Sequence, residues 1–165
     1  MAPAGADNPN EKAALRAAML QELRAMTAED RATRSATICA RILASAEWAS
    51  AQRVLLFSPM RTEPDISALA AASEKDAKLF AIIPPTLRHE HELELAFVPD
   101  FVLVPGLAFS RDGHRLGRGG GFYDRLLARR AREAVKVGVC FSLQLHDSIP
   151  SEAHDVVLNA IMSDE

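Results

Sequence analysis

Four short runs of this chain are apolar at nearly every position, and loop-forming residues close each one: Arg53-Val-Leu-Leu-Phe57, Lys78-Leu-Phe-Ala-Ile-Ile83, Phe101-Val-Leu-Val104 and Lys136-Val-Gly-Val-Cys-Phe141. None is long enough for an ordinary helix, and none alternates apolar with polar as a half-wet strand does. Such runs read as strands buried on both faces, the kind a parallel sheet contains. Helical patterns fill the space between them. Leu15, Met19, Leu23 and Met26 recur at helical spacing after Asn10, which is placed to cap a helix from Glu11. Thr27 caps a second helix running to about Ala46, with Glu29 and Asp30 in its first turn and Trp48 packing near its end. Asp65 opens a short helix through Ala72, and Phe122 to Arg132 forms another. Strands alternating with helices predict a three-layer α/β fold with a largely parallel or mixed sheet and helices on both faces. Leu93, Leu95 and Phe97 alternate with polar or small residues and predict an edge strand, and a last apolar run spans Val156 to Met162. Residues 1–9 read as a loose tail and residues 10–165 as one domain.

Composition narrows the functional classes. The net charge is −3, which argues against bulk attraction to nucleic acid. The seven arginines at 111, 115, 118, 125, 129, 130 and 132 lack the interleaved aromatics of a nucleic-acid-binding stripe. No apolar run approaches the roughly 20 residues of a membrane span, and Met1 to Pro9 lacks a secretory pattern, so a cytoplasmic protein is expected. Cys39 and Cys140 sit in apolar surroundings and read as buried thiols rather than a disulfide or metal pair. His89-Glu-His-Glu92 fits no dedicated zinc spacing and reads as a solvated hairpin.

The chemistry concentrates after the third strand, in Arg115-Leu116-Gly117-Arg118-Gly119-Gly120-Gly121-Phe122-Tyr123-Asp124-Arg125. Its glycines let backbone approach a ligand with no side chain between. The helix that follows offers free N–H groups and a partial positive charge, and Arg115 and Arg118 add full charges. That combination fits a phosphate chain. It is neither G-x-G-x-x-G nor a G-K-[ST] loop. Lys12 and Arg16 share a face one helical turn apart. Ser58 to Asp65 forms a loop at the end of the first strand, where open α/β sheets bind ligands.

Val104-Pro-Gly-Leu-Ala-Phe109 followed by Gly113-His-Arg-Leu-Gly-Arg-Gly-Gly-Gly-Phe-Tyr-Asp-Arg125 strongly resembles the signature of the 5-formyltetrahydrofolate cyclo-ligase family. Lys12-x-x-x-Arg16, Met60-x-x-Glu63, Gln144 and Ile149-Pro150-x-x-x-His154-Asp155 resemble its other motifs, in order, along the chain. The resemblance implies an ATP- and magnesium-dependent conversion of 5-formyltetrahydrofolate to 5,10-methenyltetrahydrofolate, with ADP and phosphate released. It implies that Lys12, Arg16 and residues 115–123 bind nucleotide, that Asp124 and Asp155 hold magnesium, and that Ser58, Glu63 and Arg118 meet the folate. Arg118 and Tyr123 are the catalytic candidates it implies. The expected partners are a reduced folate and a nucleotide, with no nucleic acid or membrane, and the expected state is a monomer.

One departure stands out. Family members carry a longer segment before the signature strand, including a Gly-Ile-x-Glu-Pro-like turn, whereas 16 residues separate Pro84 from Phe101 here. The nucleotide side then matches throughout and one folate wall is expected to be missing. Weak folate binding follows, with a nucleotide- or folate-binding relative of poor turnover as the alternative. Phe122 also replaces the family's common first tyrosine.

Overall fold

The computed structural model describes residues 8–165. The N-terminal helix α1 spans Pro9–Ala25 and starts earlier than expected. Asn8, not Asn10, is its cap, accepting from the Asn10 N–H at 3.1 Å. Pro9 fits the first helical position because its fixed φ suits the turn and its missing N–H would have no partner there. The expected tail therefore loses Pro9 to the helix, and the rest of that expectation, residues 1–7, lies outside the described residues. Helix α2 (Ala28–Leu43) is capped by Thr27, as expected. It ends before Ala46, because Ser45 caps a separate turn of helix, α3 (Ala46–Ser50), which buries Trp48.

Strands β1 (Arg53–Phe57), β2 (Leu79–Ile83), β3 (Phe101–Val104), β6 (Val135–Val139) and β8 (Ala160–Met162) form a five-stranded parallel sheet in the order β2-β1-β3-β6-β8. Helices pack around it, giving the α/β fold that the buried runs predict. The short helix α4 is Ala68–Lys75, with Asp65 taking the Ser67 N–H one turn ahead of it. The chain steps outward in one direction from β1 to β2 and then returns to the other side at β3. Ligands of open α/β sheets bind in the crevice opened by such a reversal, at the carboxyl ends of the strands.

Three further short strands depart from the single sheet expected. They are β4 (Ala108–Ser110), β5 (Arg115–Leu116) and β7 (Leu145–His146). They form a second small sheet in the order β5-β4-β7. The polar turn at residues 111–114 closes a β4–β5 hairpin, and the glycine loop leaves directly from β5. Helix α5 then runs Phe122–Arg129, shorter than the expected end at Arg132. The predicted edge strand at residues 93–97 does not form. A 3-10 turn at Glu90–Glu92 and irregular backbone replace it, because Glu90 is drawn inward rather than left in water. Cys39 and Cys140 are free and buried, and burial pushes their thiols up to about 11 and about 12. They are inert packing groups.

Candidate active site

A cavity of about 610 Å³ opens at the carboxyl ends of β1, β2 and β3. Every site residue singled out in the sequence lines it: Lys12 and Arg16 from α1, Ser58 and Glu63 from the loop after β1, residues 115–124, and Asp155. The short segment does contribute to the cavity. Pro84, Pro85, Leu87 and Arg88 of the short segment line the cavity themselves.

The glycine loop is gripped by its carbonyls. Arg16 Nε donates to the Gly117 carbonyl at 2.8 Å, and Arg125 Nη1 donates to the Gly120 carbonyl at 2.8 Å. Among the described residues, the backbone N–H groups of residues 117–121 donate to no protein acceptor. Unpaired N–H groups beside a cationic cavity are what an anion needs. Gly119 and Gly121 have φ of +106° and +69°, a region that side chains other than glycine rarely enter. A Cβ on Gly120 would meet nothing within 4 Å, so its open side faces space a ligand can use.

The arginines differ in setting. Arg115 Nη1 donates to the Pro105 carbonyl at 2.9 Å and its guanidinium lies 5.3 Å from the Tyr123 ring centroid. Burial draws the Arg115 pKa down and pushes the Tyr123 phenol well up, so the phenol stays protonated. Arg118 reaches across the cavity mouth, donating to Thr62 Oγ1 at 3.0 Å. Phe122 packs edge-on against Tyr123, with centroids 5.1 Å apart.

On the other side, Glu63 is 7% exposed and accepts from the Met60 N–H at 2.7 Å. Burial raises its pKa, against the lowering effects of that N–H, Arg118 and Arg31. Arg31 of α2 pins the loop by donating to the Glu63 and Met60 carbonyls at 2.8 and 3.1 Å. Arg31 goes unmarked in the sequence, since a polar residue in a helix carries no sign of a partner across the fold.

Lys12 Nζ lies 3.3 Å from Glu152 and 3.5 Å from Asp155. Glu152, His154 and Asp155 present possible ligand atoms within 4.8 Å of one another. Asp124 is not in that group, but its carboxylate accepts the Val156 N–H at 3.3 Å, which ties it to the same loop. An ammonium already sits against these carboxylates, and hard oxygen donors facing phosphate-binding cations suit magnesium. Glu152 was not singled out in the sequence, although the motif ending in His154-Asp155 brackets it.

Glu90 was misread. It is 3% exposed and pairs with Arg125 at 3.0 Å and Arg129 at 2.6 Å, so the predicted solvated hairpin is corrected to a buried acid. His89 and His91 stack on each other instead of converging on an ion. The Glu90 carboxyl is drawn from its ordinary 4.5 down to about 2 by its own backbone N–H, then by Arg125 and Arg129, against the cost of burial. A depressed folded pKa gives stability that is whole above the unfolded value and lost as pH falls through the folded one. Acid titration of folding should therefore show the stability gap between wild type and Glu90→Gln closing between pH 4.5 and about 2. A gap that stays constant through that window would remove Glu90 as its source.

Fold and cavity together define an α/β domain with a pocket lined by both cations and carboxylates at the reversal point of a parallel sheet. The chain belongs to the 5-formyltetrahydrofolate cyclo-ligase family, whose model matches residues 8–99 and 68–164 in two overlapping segments, and it is an enzyme of the ligase class. A mouse 5-formyltetrahydrofolate cyclo-ligase is 26% identical over 190 aligned positions, covering 93% of this chain and 94% of the mouse protein. The enzyme of Mycolicibacterium smegmatis is 47% identical over 64 residues, or 39% of this chain and 33% of its own length. The solved 5,10-methenyltetrahydrofolate synthetase of Aquifex aeolicus superposes with a TM-score of 0.78 at 26% identity, covering 93% of this chain and 90% of that one. The synthetase of Mycoplasma pneumoniae shares the fold, with a TM-score of 0.76 at 23% identity. That superposition covers 94% of this chain and 99% of the other, so the fold closes in a chain of about this size. No helix among the described residues is long and apolar enough to cross a membrane.

Proposed function

We propose that the chain converts 5-formyltetrahydrofolate to 5,10-methenyltetrahydrofolate, using ATP and magnesium and releasing ADP and phosphate. The observation that carries this reading is convergence. Cations from α1 (Lys12, Arg16) and from the glycine loop (Arg115, Arg118) line the same cavity as the buried carboxylate of Glu63. Phosphate binds on the first side, with the N–H groups of residues 117–121. The pterin binds on the second, where Glu63 accepts its N–H groups and Ser58 lies alongside.

The formyl oxygen attacks the γ-phosphorus, the bond to the β-phosphate oxygen breaks, and ADP leaves. The neighbouring folate nitrogen then attacks the activated carbon, and phosphate departs. Such chemistry needs positioning and charge neutralisation more than covalent help. Arg118 bridges from the loop to Thr62, and in this reading it serves the phosphoryl and formyl groups together. Tyr123, held neutral, walls the junction. Asp124 and Asp155, with Glu152 beside them, would hold a magnesium ion, which supplies further neutralisation of the phosphate oxygens.

The short segment before β3 favours a second reading, a relative that binds nucleotide or folate with little turnover. Mixing the protein with ATP, magnesium and 5-formyltetrahydrofolate and following methenyl absorbance decides between them. A steady rise supports the enzyme; a flat trace beside measurable nucleotide binding supports the relative. Within the enzyme reading, Arg118→Ala should lose a charged hydrogen bond worth about 1.5–3 kcal/mol, or roughly ten- to a hundredfold in ATP affinity. Titration calorimetry checks it, and unchanged affinity in a folded variant counts against the loop assignment.

A further inference from the structure

Arg125 spends its whole guanidinium on one task outside the cavity. Its Nη1 donates to the Gly120 carbonyl at 2.8 Å, its Nε to Glu90 at 3.0 Å and its Nη2 to the Arg88 carbonyl at 3.3 Å. Gly120 belongs to the loop, and Arg88 and Glu90 to the short segment that forms the facing wall. Gly121 is shaped for this contact, since a Cβ there would stand 2.8 Å from Arg125 Nη1. The other oxygen of Glu90 takes Arg129, and Arg130 holds the Glu90 and Leu93 carbonyls at 2.7 and 3.0 Å. Glu90 is thus held at its carboxylate by Arg129 and at its backbone by Arg130, apart from its bond to Arg125.

We propose that Arg125 is a positioning residue that, braced on Glu90 and Arg88, sets the peptide orientation of the glycine loop and locks that loop to the opposite wall of the cavity. Carbonyl and N–H point in opposite directions across a trans peptide. A carbonyl of Gly120 held outward by Arg125 therefore turns the Gly121 N–H the other way, free to meet an anion. The proposal rests on the reading of this loop as the phosphate-holding element. It goes beyond that reading by assigning what keeps the loop in shape, and by giving the short segment a part in nucleotide binding.

Arg129 is the internal control. It binds the same carboxylate but touches no loop atom that Arg125 touches. The experiment compares Arg125→Met, Arg129→Met and Glu90→Gln with wild type by melting temperature, backbone ¹⁵N order parameters at residues 117–121, and affinity for a non-hydrolysable ATP analogue. Both arginine variants should lower the melting temperature. Only Arg125→Met should drop the loop order parameters from about 0.85 toward about 0.6 and weaken the analogue about tenfold, with Arg129→Met within twofold of wild type. Glu90→Gln should move both readouts in the same direction as Arg125→Met. Equal loosening by both arginine variants, or none by Arg125→Met, overturns the proposal. The order parameters need no ligand. A wild type that fails to bind the analogue therefore defeats the functional reading, while the loop measurement still decides the role of Arg125.

Discussion

Replacing Asp124 and Asp155 together with asparagine is expected to abolish magnesium-dependent turnover while leaving the fold intact. The two residues come from the start of α5 and from the loop before β8, and the Asp124 contact to the Val156 N–H brings them to one place. Asparagine keeps the shape and one acceptor oxygen. The Val156 N–H keeps its partner, and so does the Glu152 N–H, which Asp155 accepts at 2.7 Å. Lys12 retains Glu152 at 3.3 Å. What disappears is two negative charges beside the proposed phosphate site. Magnesium takes oxygen ligands at about 2.0–2.1 Å and commonly uses one or two carboxylates together with substrate phosphates. Circular dichroism and melting should stay close to wild type, and methenyl formation should fall below detection. Turnover retained by a folded double variant would remove these carboxylates from the reaction.

Phe101→Ala should produce the largest loss of stability. Phe101 is almost fully buried at the start of β3, between β1 and β6, and meets Trp48 edge-on with centroids 5.7 Å apart. Removing a buried phenyl ring costs about 3–5 kcal/mol, because the cavity closes only in part. In a domain of this size that lowers the melting temperature by roughly 6–20 °C. The ligand cavity lies at the other end of β3, at Pro105 and Gly106. Below the melting transition nucleotide affinity should therefore stay within about twofold of wild type, since sites that far apart and without shared partners act independently. A drop of only a degree or two, read by calorimetry, would mean that Trp48 and its neighbours collapse into the space.

The sheet was legible because its strands are buried on both faces, and such runs announce themselves without help from distant residues. The cavity residues were legible for different reasons: the glycines and arginines of residues 115–121 by their own chemistry after a strand, and Lys12, Arg16, Glu63, Asp124 and Asp155 through their resemblance to the family's motifs. What the sequence hid was pairing across the fold. Glu90 sits among polar neighbours, and its partners Arg125 and Arg129 lie 35 and 39 residues away. Nothing local distinguishes it from a solvated acid. The β4–β5 hairpin was hidden by its size, since three- and two-residue strands carry no periodicity. Asn10 looked like a cap because Pro9, which directly follows the true cap Asn8, reads as part of a tail, when a proline at the first helical position is itself a start signal.

The grip of Arg16 on Gly117 joins residues 101 positions apart, and Lys12 reaches still farther, to Glu152 and Asp155. The helix carrying both cations precedes the central sheet in the chain, and its acidic partners follow four of the sheet's five strands. A nascent chain halted before residue 152 would already contain β1 to β6, and so most of the central sheet. It would lack the counter-charges that hold Lys12 in place. Truncation before residue 152 would then yield a body able to collapse around its strands, with α1 still held by Arg16 but without the ion pairs of Lys12. The ion pairs of Lys12 thus make the seating of α1 depend on a loop that the chain reaches only after four of the five strands of the central sheet.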